Sequence, residues 1–179
     1  MEANDTIIVT TRLRLRSWRM ADGDAFAALH ADREVMRDYG GPIDRSESDA
    51  KFARYHAAFA EHGYARWVIE ERNGAFLGYA GCAPAVSGHP LGPHTDIGWR
   101  LVRSAWGRGY ATEAARASLD DVFARLRLPR VLAYTAPDNM RSQAVMKRLA
   151  MQRDAARDFS VPFRAGTWQG LVWVAASER

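Results

Sequence analysis

The chain has 179 residues, 47% of them hydrophobic and 26% charged, with a formal net charge of +4. That length predicts one domain over residues 1–179, because domains average roughly 150 residues, and the composition excludes wholesale disorder. The single cysteine, Cys82, excludes an internal disulfide and a multi-cysteine zinc site. Since the sequence starts with neither a basic leader nor a long apolar stretch, we expect a cytoplasmic protein that does not enter a membrane.

Arginine supplies almost all of the positive charge. Every basic residue except Lys51 and Lys147 is an arginine. Guanidinium groups bind phosphate in a bidentate fork, so a phosphorylated ligand suits this composition. The arginines are scattered among acidic residues rather than clustered, so we expect most of them on a solvated surface and predict no nucleic-acid partner.

The first part of the chain predicts a strand and then a helix. Arg12–Arg16 alternates charged and apolar residues with a period of two, which is typical of a half-buried strand. A helix is predicted from about Asp22, and the Gly40–Pro42 cluster is expected to end it. The apolar positions of this helix are Phe26, Leu29, Val35 and Met36.

A second helix is predicted from Ser46 to Gly63. Ser46–Asp49 has the form of a capping box in which Asp49 replaces the usual Glu, so the helix is expected to begin there. Gly63 is a typical residue for a helix end. Apolar side chains recur at helical spacing at Phe52, Tyr55 and Phe59.

Next, the sequence predicts a β-hairpin. Two apolar runs, Trp67–Ile69 and Phe76–Tyr79, flank Asn73-Gly74. This dipeptide favours a type I′ turn, in which both central residues have positive φ. We therefore expect a tight hairpin with Asn73-Gly74 as its turn.

The second half alternates strands and helices. A loop at 87–94 precedes a strand at Asp96–Val102, and a helix with a small-residue face begins near Ala111 and ends before Pro129. The remaining predicted elements are a strand at Val131–Thr135, a helix from about Asn139 with Val145 and Leu149 inward, and strands at Phe159–Phe163 and Leu171–Ala175. This order predicts an α/β or α+β fold with a mixed sheet.

The glycine-rich segment before the small-faced helix carries the clearest chemical signal. Gly107 and Gly109 let the backbone curl so that consecutive N–H groups point into one concavity, which the free N–H groups at the helix start extend. Such a concavity binds a diphosphate, and Arg103 and Arg108 could add charge-assisted bonds. A turn that merely connects strand to helix is the alternative. The segment is not a GxGxxG loop, because Thr112 replaces the third glycine, and no P-loop motif occurs.

Three segments together resemble a known family: Asp96–Leu101 (DIGWRL), Trp106–Ala114 (WGRGYATEA) and Asn139–Met146 (NMRSQAVM). They are similar to the GNAT superfamily of acyl-CoA-dependent N-acetyltransferases, and more narrowly to the branch of ribosomal-protein N-terminal acetyltransferases. The opening segment TTRLRLRSWRMAD (10–22) is also typical of that branch. The resemblance covers roughly residues 10–152 and argues against the turn as a mere connection.

The resemblance implies both a fold and an activity. The fold would be a single GNAT-like domain with a mixed, mostly antiparallel sheet of about six to seven strands, flanked by about four helices. Its central strands would splay apart to admit acyl-CoA. The activity would be transfer of an acetyl group from acetyl-CoA to a primary amine, with no metal. That amine could be a protein N-terminus, an amino acid, a polyamine or an aminoglycoside-like drug.

The resemblance also implies where coenzyme A would bind. Backbone N–H groups from Gly107 to Thr112 would bind the diphosphate, although Trp106 replaces the polar residue that the family has at the first position of this loop. The end of the preceding strand would pair with pantetheine, and two polar residues of the following helix would lie near the thioester. The implied coenzyme A residues are Leu101, Val102, Arg103, Gly107, Arg108, Gly109, Tyr110, Ala111, Thr112, Asn139 and Ser142.

Asp96 and Ser142 are the candidate catalytic residues. Asp96 stands where the branch usually carries Glu, and period two places it on one face with Gly98 and Arg100, where its carboxylate could take a proton from the amine through water. The alternative is a carboxylate that is exposed or paired with Arg100. Many family members have a Tyr four residues after the position of Ser142, but here that residue is Met146.

The identity of the residue that donates a proton to the departing thiolate therefore stays open. Ser142 is the nearest remaining hydroxyl, and Tyr134 and Tyr110 are alternatives. A thiolate can also leave without a dedicated acid, since the thiol pKa is about 8.5. Cys82 is expected in the core rather than as a nucleophile, and the histidines show no metal-ligand spacing.

Two other functions compete with the favoured acetyltransferase. The shortened Asp96 and the absence of Tyr at 146 leave open a sensor module that binds acyl-CoA without transferring its acyl group. A nucleic-acid-binding protein is a distant alternative, and a homodimer stays open as the assembly. The acceptor cleft is expected between residues 22–62, the 87–94 loop and the late hairpin.

Overall fold

Nine strands and four helices make up residues 7–164 and 166–177, the part of the chain described by this computed structural model. The strands are β1 (Ile7–Val9), β2 (Leu13–Arg16), β3 (Arg66–Glu71), β4 (Phe76–Pro84), β5 (Thr95–Leu101), β6 (Arg130–Thr135), β7 (Gln152–Arg153), β8 (Phe159–Phe163) and β9 (Gly166–Ala176). The helices are α1 (Gly23–Ala31), α2 (Arg45–His62), α3 (Tyr110–Ala124) and α4 (Met140–Arg148). None of these helices is both long and apolar enough to cross a lipid bilayer.

The strands form one sheet whose two central strands, β5 and β6, share a single registered pair. The order is β1-β2-β3-β4-β5-β6-β9-β7, with β8 paired to β9. All neighbours are antiparallel except β5 and β6, which run parallel. Asp96 and Leu132 form the one registered pair between β5 and β6, so these strands diverge beyond it, as the predicted splayed centre requires.

Helices pack on both faces of the sheet because buried side chains alternate along the strands. On β3, Trp67 and Ile69 pack into the core that contains Ala114 of α3, whereas Val68 packs against Phe52 of α2. Further along the sheet, α3 and α4 enclose a second core through a set of small and aliphatic residues. These are Ala115, Leu119, Val122, Val145, Met146 and Leu149.

The first two helices begin and end elsewhere than predicted. The first helix ends at Ala31 rather than near residue 40, because the Asp32 carboxylate accepts the N–H groups of Glu34 and Val35 in place of helical carbonyls. The second helix begins at Arg45, one residue earlier than the predicted Ser46. Asp44 is its cap and accepts the N–H of Glu47 at 2.8 Å.

The hairpin prediction is correct, but the turn type is wrong. β3 and β4 pair antiparallel around residues 72–75. Gly74 has positive φ (90°), and Asn73 does not. The N–H of Gly74 bonds to Glu71 O and the N–H of Glu71 bonds to Ala75 O, so the loop has three residues with glycine in the left-handed position.

The mixed, mostly antiparallel sheet agrees with the sequence, but it has more strands than the predicted six to seven. The additional strands are β1 and β7, of three and two residues. Segments this short contain too few residues for a period-two pattern to be detected.

His30 links α1 to the sheet inside the core. Its Nδ1 donates to the Phe26 carbonyl at 2.9 Å, and its Nε2 accepts the Tyr79 hydroxyl at 3.2 Å. The side chain has no exposed surface, and burial lowers the pKa of His30 from 6.5 to about 3.

This burial predicts acid sensitivity. Between pH 6.5 and 3 the unfolded chain binds a proton that the folded chain does not, so stability falls as the pH falls, by ~1.4 kcal/mol per pH unit. Urea unfolding at several pH values should therefore show a shallower acid slope for His30→Gln. The exposed His56→Gln should leave the slope unchanged, and an unchanged slope in His30→Gln would contradict the assignment.

Candidate active site

A cavity of about 480 Å³ opens beside β5 on the face of the sheet that carries α2. Residues 38–55, the 86–90 loop and the β8–β9 hairpin all contribute to its lining. These are the segments between which the sequence predicts an acceptor cleft, and that role stays a prediction. The polar lining of the cavity comprises Asp38, Tyr39, Lys51, Tyr55, Arg66, Tyr79, Ser87, His89, Asp96, Arg100, Tyr134, Thr135 and Ser142. This volume and lining suit a small organic molecule.

Asp96 lies in the cavity wall and is paired with a residue that the sequence did not single out. Arg66 Nη2 donates to Asp96 Oδ2 at 2.6 Å, and both side chains are almost fully buried. Arg66 also donates to the carbonyls of Asp96 and Gly81. Burial alone would lower the pKa of Arg66, but the Asp96 charge outweighs it and raises that pKa, so the guanidinium stays charged.

The alternative in which Asp96 pairs with Arg100 is therefore wrong. Arg100 points to Asp38 instead, with its Nη1 3.0 Å from Asp38 Oδ1. The face expected for Asp96, Gly98 and Arg100 does exist, because a Cβ added to Gly98 would lie 3.3 Å from the Arg66 guanidinium. Arg66 occupies the space above Gly98 and so reaches Asp96 first.

Asn139 and Ser142 lie together at the start of α4. The Asn139 side chain caps this helix by accepting the Ser142 N–H at 3.1 Å, and its amide lies 3.4 Å from Asp38 Oδ2. Ser142 and Met146 line the cavity. Asn139 therefore links the Arg100–Asp38 pair to the helix that carries Ser142.

Of the two alternative hydroxyls, Tyr134 lies in the cavity and Tyr110 does not. Tyr110 is the first residue of α3, packs into the core beside β2 and β3, and donates its hydroxyl to Glu71. Tyr134 lines the cavity beside Asp96. Burial, together with the Asp96 charge, raises the pKa of Tyr134 above its ordinary value, so this hydroxyl keeps its proton near neutral pH.

The glycine-rich segment ends in a row of unbonded N–H groups. Gly107 and Gly109 have positive φ of 75° and 79°, and Gly109 is the residue before α3. Within the described part of the chain, the N–H groups of residues 107–112 have no hydrogen-bond acceptor, and the first N–H used is that of Glu113, bonded to Gly109 O. These N–H groups add to the positive end of the α3 dipole, an arrangement that binds anions.

Two neighbouring elements hold this segment in place. Arg12 donates to the Arg108 carbonyl at 2.8 Å and pairs with Glu113 at 2.7 Å. The Arg141 guanidinium lies 4.3 Å from the Trp106 ring centroid, which joins the segment to the start of α4. Arg108 itself turns toward Glu71, 3.4 Å away.

The backbone at Leu101–Arg103 is largely bonded within the chain. The Leu101 carbonyl accepts the Trp106 indole N–H at 2.9 Å, and the Val102 N–H donates to Leu77 O. Carbonyl oxygens can accept a second bond, so pairing of these residues with pantetheine stays a prediction.

Comparison with known proteins decides the family. A family model described as an acetyltransferase (GNAT) domain matches residues 12–152. The chain belongs to the GNAT acetyltransferase family. It is 32% identical over 149 residues to the "uncharacterized protein YkkB" of Bacillus subtilis (strain 168), covering 82% of this chain and 85% of that protein.

Further relatives of this GNAT domain have more informative names or solved structures. One is the "FsC-acetyl coenzyme A-N(2)-transacetylase" of Aspergillus fumigatus, 33% identical over 125 residues, which span 66% of this chain and 53% of that protein. The crystal structure of an acetyltransferase from Agrobacterium tumefaciens str. C58 superposes with a TM-score of 0.81 at 30% identity, covering 98% and 96% of the two chains. The ribosomal L7/L12 alpha-N-protein acetyltransferase RimL shares the fold at 16% identity, with a TM-score of 0.76 over 96% and 94% of the chains.

Some cavity and loop residues of this GNAT domain could be singled out from the sequence and others could not. Gly107 and Gly109 precede α3, Asn139 precedes α4 and Asp96 lies in the cavity wall, while their roles stay predictions. Sequence reasoning missed Arg66, whose signal was a charged residue at the start of an apolar strand, and it missed Arg12 and Lys51. Burial raises the pKa of Cys82 to about 12, which suits a core residue rather than a nucleophile.

Proposed function

We propose that this GNAT domain transfers an acetyl group from acetyl-CoA to a primary amine, by direct attack within a ternary complex. The observation that carries the proposal is the row of free N–H groups at residues 107–112. They would bind the coenzyme A diphosphate, because a helix start with open amides favours a charged phosphate. The divergence of β5 from β6 supports a thioester placed between that loop and the cavity.

The cavity supports direct attack rather than a covalent enzyme intermediate. Among the described residues Cys82 is the only thiol, and it is buried against the Ser118 carbonyl. The amine must be neutral when it attacks. Since Arg66 already binds Asp96, this carboxylate would orient the ammonium and pass its proton to water rather than store it.

We propose Tyr134 as the donor to the departing thiolate, because its hydroxyl lines the cavity beside Asp96 and keeps its proton near neutral pH. Replacing it by Phe removes only the hydroxyl, and we expect kcat to fall by about 100-fold, at the lower end of general-acid effects. Ser142→Ala should lower kcat only modestly. Steady-state thiol release measures both, with coenzyme A affinity as the check that the site is intact.

Different outcomes would separate the two hydroxyls. An unchanged rate in Ser142→Ala would remove Ser142 from the mechanism. If Tyr134→Phe retained full kcat while Ser142→Ala lost most of it, the roles would be reversed.

One observation favours a second candidate, a sensor that binds acyl-CoA without transferring its acyl group. Asp96 is held by a buried guanidinium, and Met146 offers no proton. Thiol release from acetyl-CoA should be measured over a broad amine panel, alongside calorimetry with coenzyme A. Acceptor-dependent release supports the transferase, binding without any such release supports the sensor, and absence of binding overturns both.

A further inference from the structure

Lys51 is a cation in the cavity wall with aromatic neighbours. It lies on α2, and its Nζ is 4.9 Å from the Tyr39 ring centroid and 5.9 Å from that of Tyr55. No carboxylate of the described residues lies within ion-pair distance of it, whereas most of the cavity's charged residues have a partner. The tyrosine faces hold the ammonium by cation–π attraction.

Each of the two carboxylates in the cavity wall already forms an ion pair with an arginine of the chain. Asp96 is bound by Arg66 at 2.6 Å and Asp38 by Arg100 at 3.0 Å. The charge that remains available to a ligand is therefore positive, and it belongs to Lys51. Such a cavity disfavours a polycation such as a polyamine, because like charges repel across a desolvated site.

The surroundings of Lys51 disfavour its charged form, and a bound anion would stabilise that form. Burial lowers the pKa of Lys51, and the charges of Arg100, Arg66 and Arg54 lower it further. Lys51 is partly buried, and a charge that is partly removed from water without a counter-charge is unfavourable. A carboxylate placed beside the ammonium would stabilise its charged form and gain a charge-assisted bond.

We propose that the acceptor is a primary amine that also carries a carboxylate, and that Lys51 binds this carboxylate. The inference rests on the proposed function and narrows its substrate class. The amine would lie toward Asp96 and the carboxylate toward α2. The side of the cavity toward the β8–β9 hairpin suits an amino acid with an apolar side chain, since Phe159, Val161, Phe163 and Trp168 line it.

The test uses product-like probes, which require no turnover. N-acetyl derivatives of leucine and phenylalanine would be titrated against the corresponding N-acetyl amides, with and without coenzyme A, by calorimetry. We expect the acids to bind at least about tenfold more tightly than the amides, the value of one charged hydrogen bond. Lys51→Met should remove this preference, and Lys51→Arg should keep most of it.

Lys147→Met is the matched control, because Lys147 is the other lysine of the chain and is exposed on α4. It should retain the full preference. The same comparison in thiol release, leucine against leucinamide, should show a similar ratio of kcat/KM.

Acids that bind no better than amides, whether both bind or neither does, would overturn the proposal, as would a preference that survives Lys51→Met. These outcomes are distinct from failure of the proposed function, which would appear as absence of coenzyme A binding in the same titrations. A preference for acids without coenzyme A binding would support the anion site and reject the transferase.

Discussion

Replacing Gly109 with valine is expected to weaken coenzyme A binding by roughly 10- to 100-fold. Gly109 has φ of 79° and directly precedes α3. A β-branched residue held in this conformation costs about 1–3 kcal/mol, so the loop would relax and turn its N–H groups out of line. Since those groups are the proposed diphosphate site, calorimetry with coenzyme A would report the loss directly.

Gly74→Val provides the matched control. Gly74 also has positive φ (90°), its added Cβ would meet nothing within 4 Å, and it lies in the β3–β4 hairpin. It should suffer a comparable loss of stability while keeping its coenzyme A affinity. If both variants fold and bind coenzyme A as the unmodified chain does, the amide row is not the diphosphate site.

The second large effect is expected at Arg66. Arg66→Met leaves the Asp96 carboxylate buried without its partner, and removing one member of a buried pair costs about 3–5 kcal/mol. For a chain of this size each kcal/mol shifts Tm by about 2–4 °C, so we expect Tm to fall by roughly 6–20 °C. Thermal and urea unfolding measure the change.

Arg125→Met is the control for Arg66→Met. Arg125 pairs with Asp121 at 2.7 Å, a separation close to that of the buried pair, but its side chain is 39% exposed. Solvent screens such a pair, so its loss should cost about 1 kcal/mol or less. Adding Asp96→Leu to Arg66→Met should recover part of the stability, because the uncompensated charge is then gone. Equal effects in the two single variants would contradict the assignment of a buried pair.

Local signals explain what could be predicted at residues 106–112 and 139–146. Glycines that need positive φ, small residues at helical spacing and a capping asparagine act over a few residues, so they are legible in the chain itself. Two local predictions were wrong where other hydrogen bonds replaced the expected ones. Asp32 ended α1 early, and the hairpin turn became a three-residue loop.

Contacts between distant segments could not be predicted. Arg66 and Asp96 meet because β3 and β5 both flank β4, and Arg12 reaches Glu113 because β2 lies near α3. The alternation of residues along one strand predicts which side chains share a face of the sheet. It does not predict which charged residue of another strand fills the space above a glycine such as Gly98. Asp96 therefore pairs with Arg66 and not with Arg100.

The amino-acid sequence by itself determined the family, the mixed sheet and the glycine-rich loop before α3, because each depends on motifs of adjacent residues. Only the tertiary structure decided how the charges of the cavity are distributed. Both carboxylates of the cavity are neutralised by arginines from other elements, and Lys51 lines the same cavity beside two tyrosine rings. Charge pairing in a buried site depends on strand register and helix placement, which are properties of the packed chain.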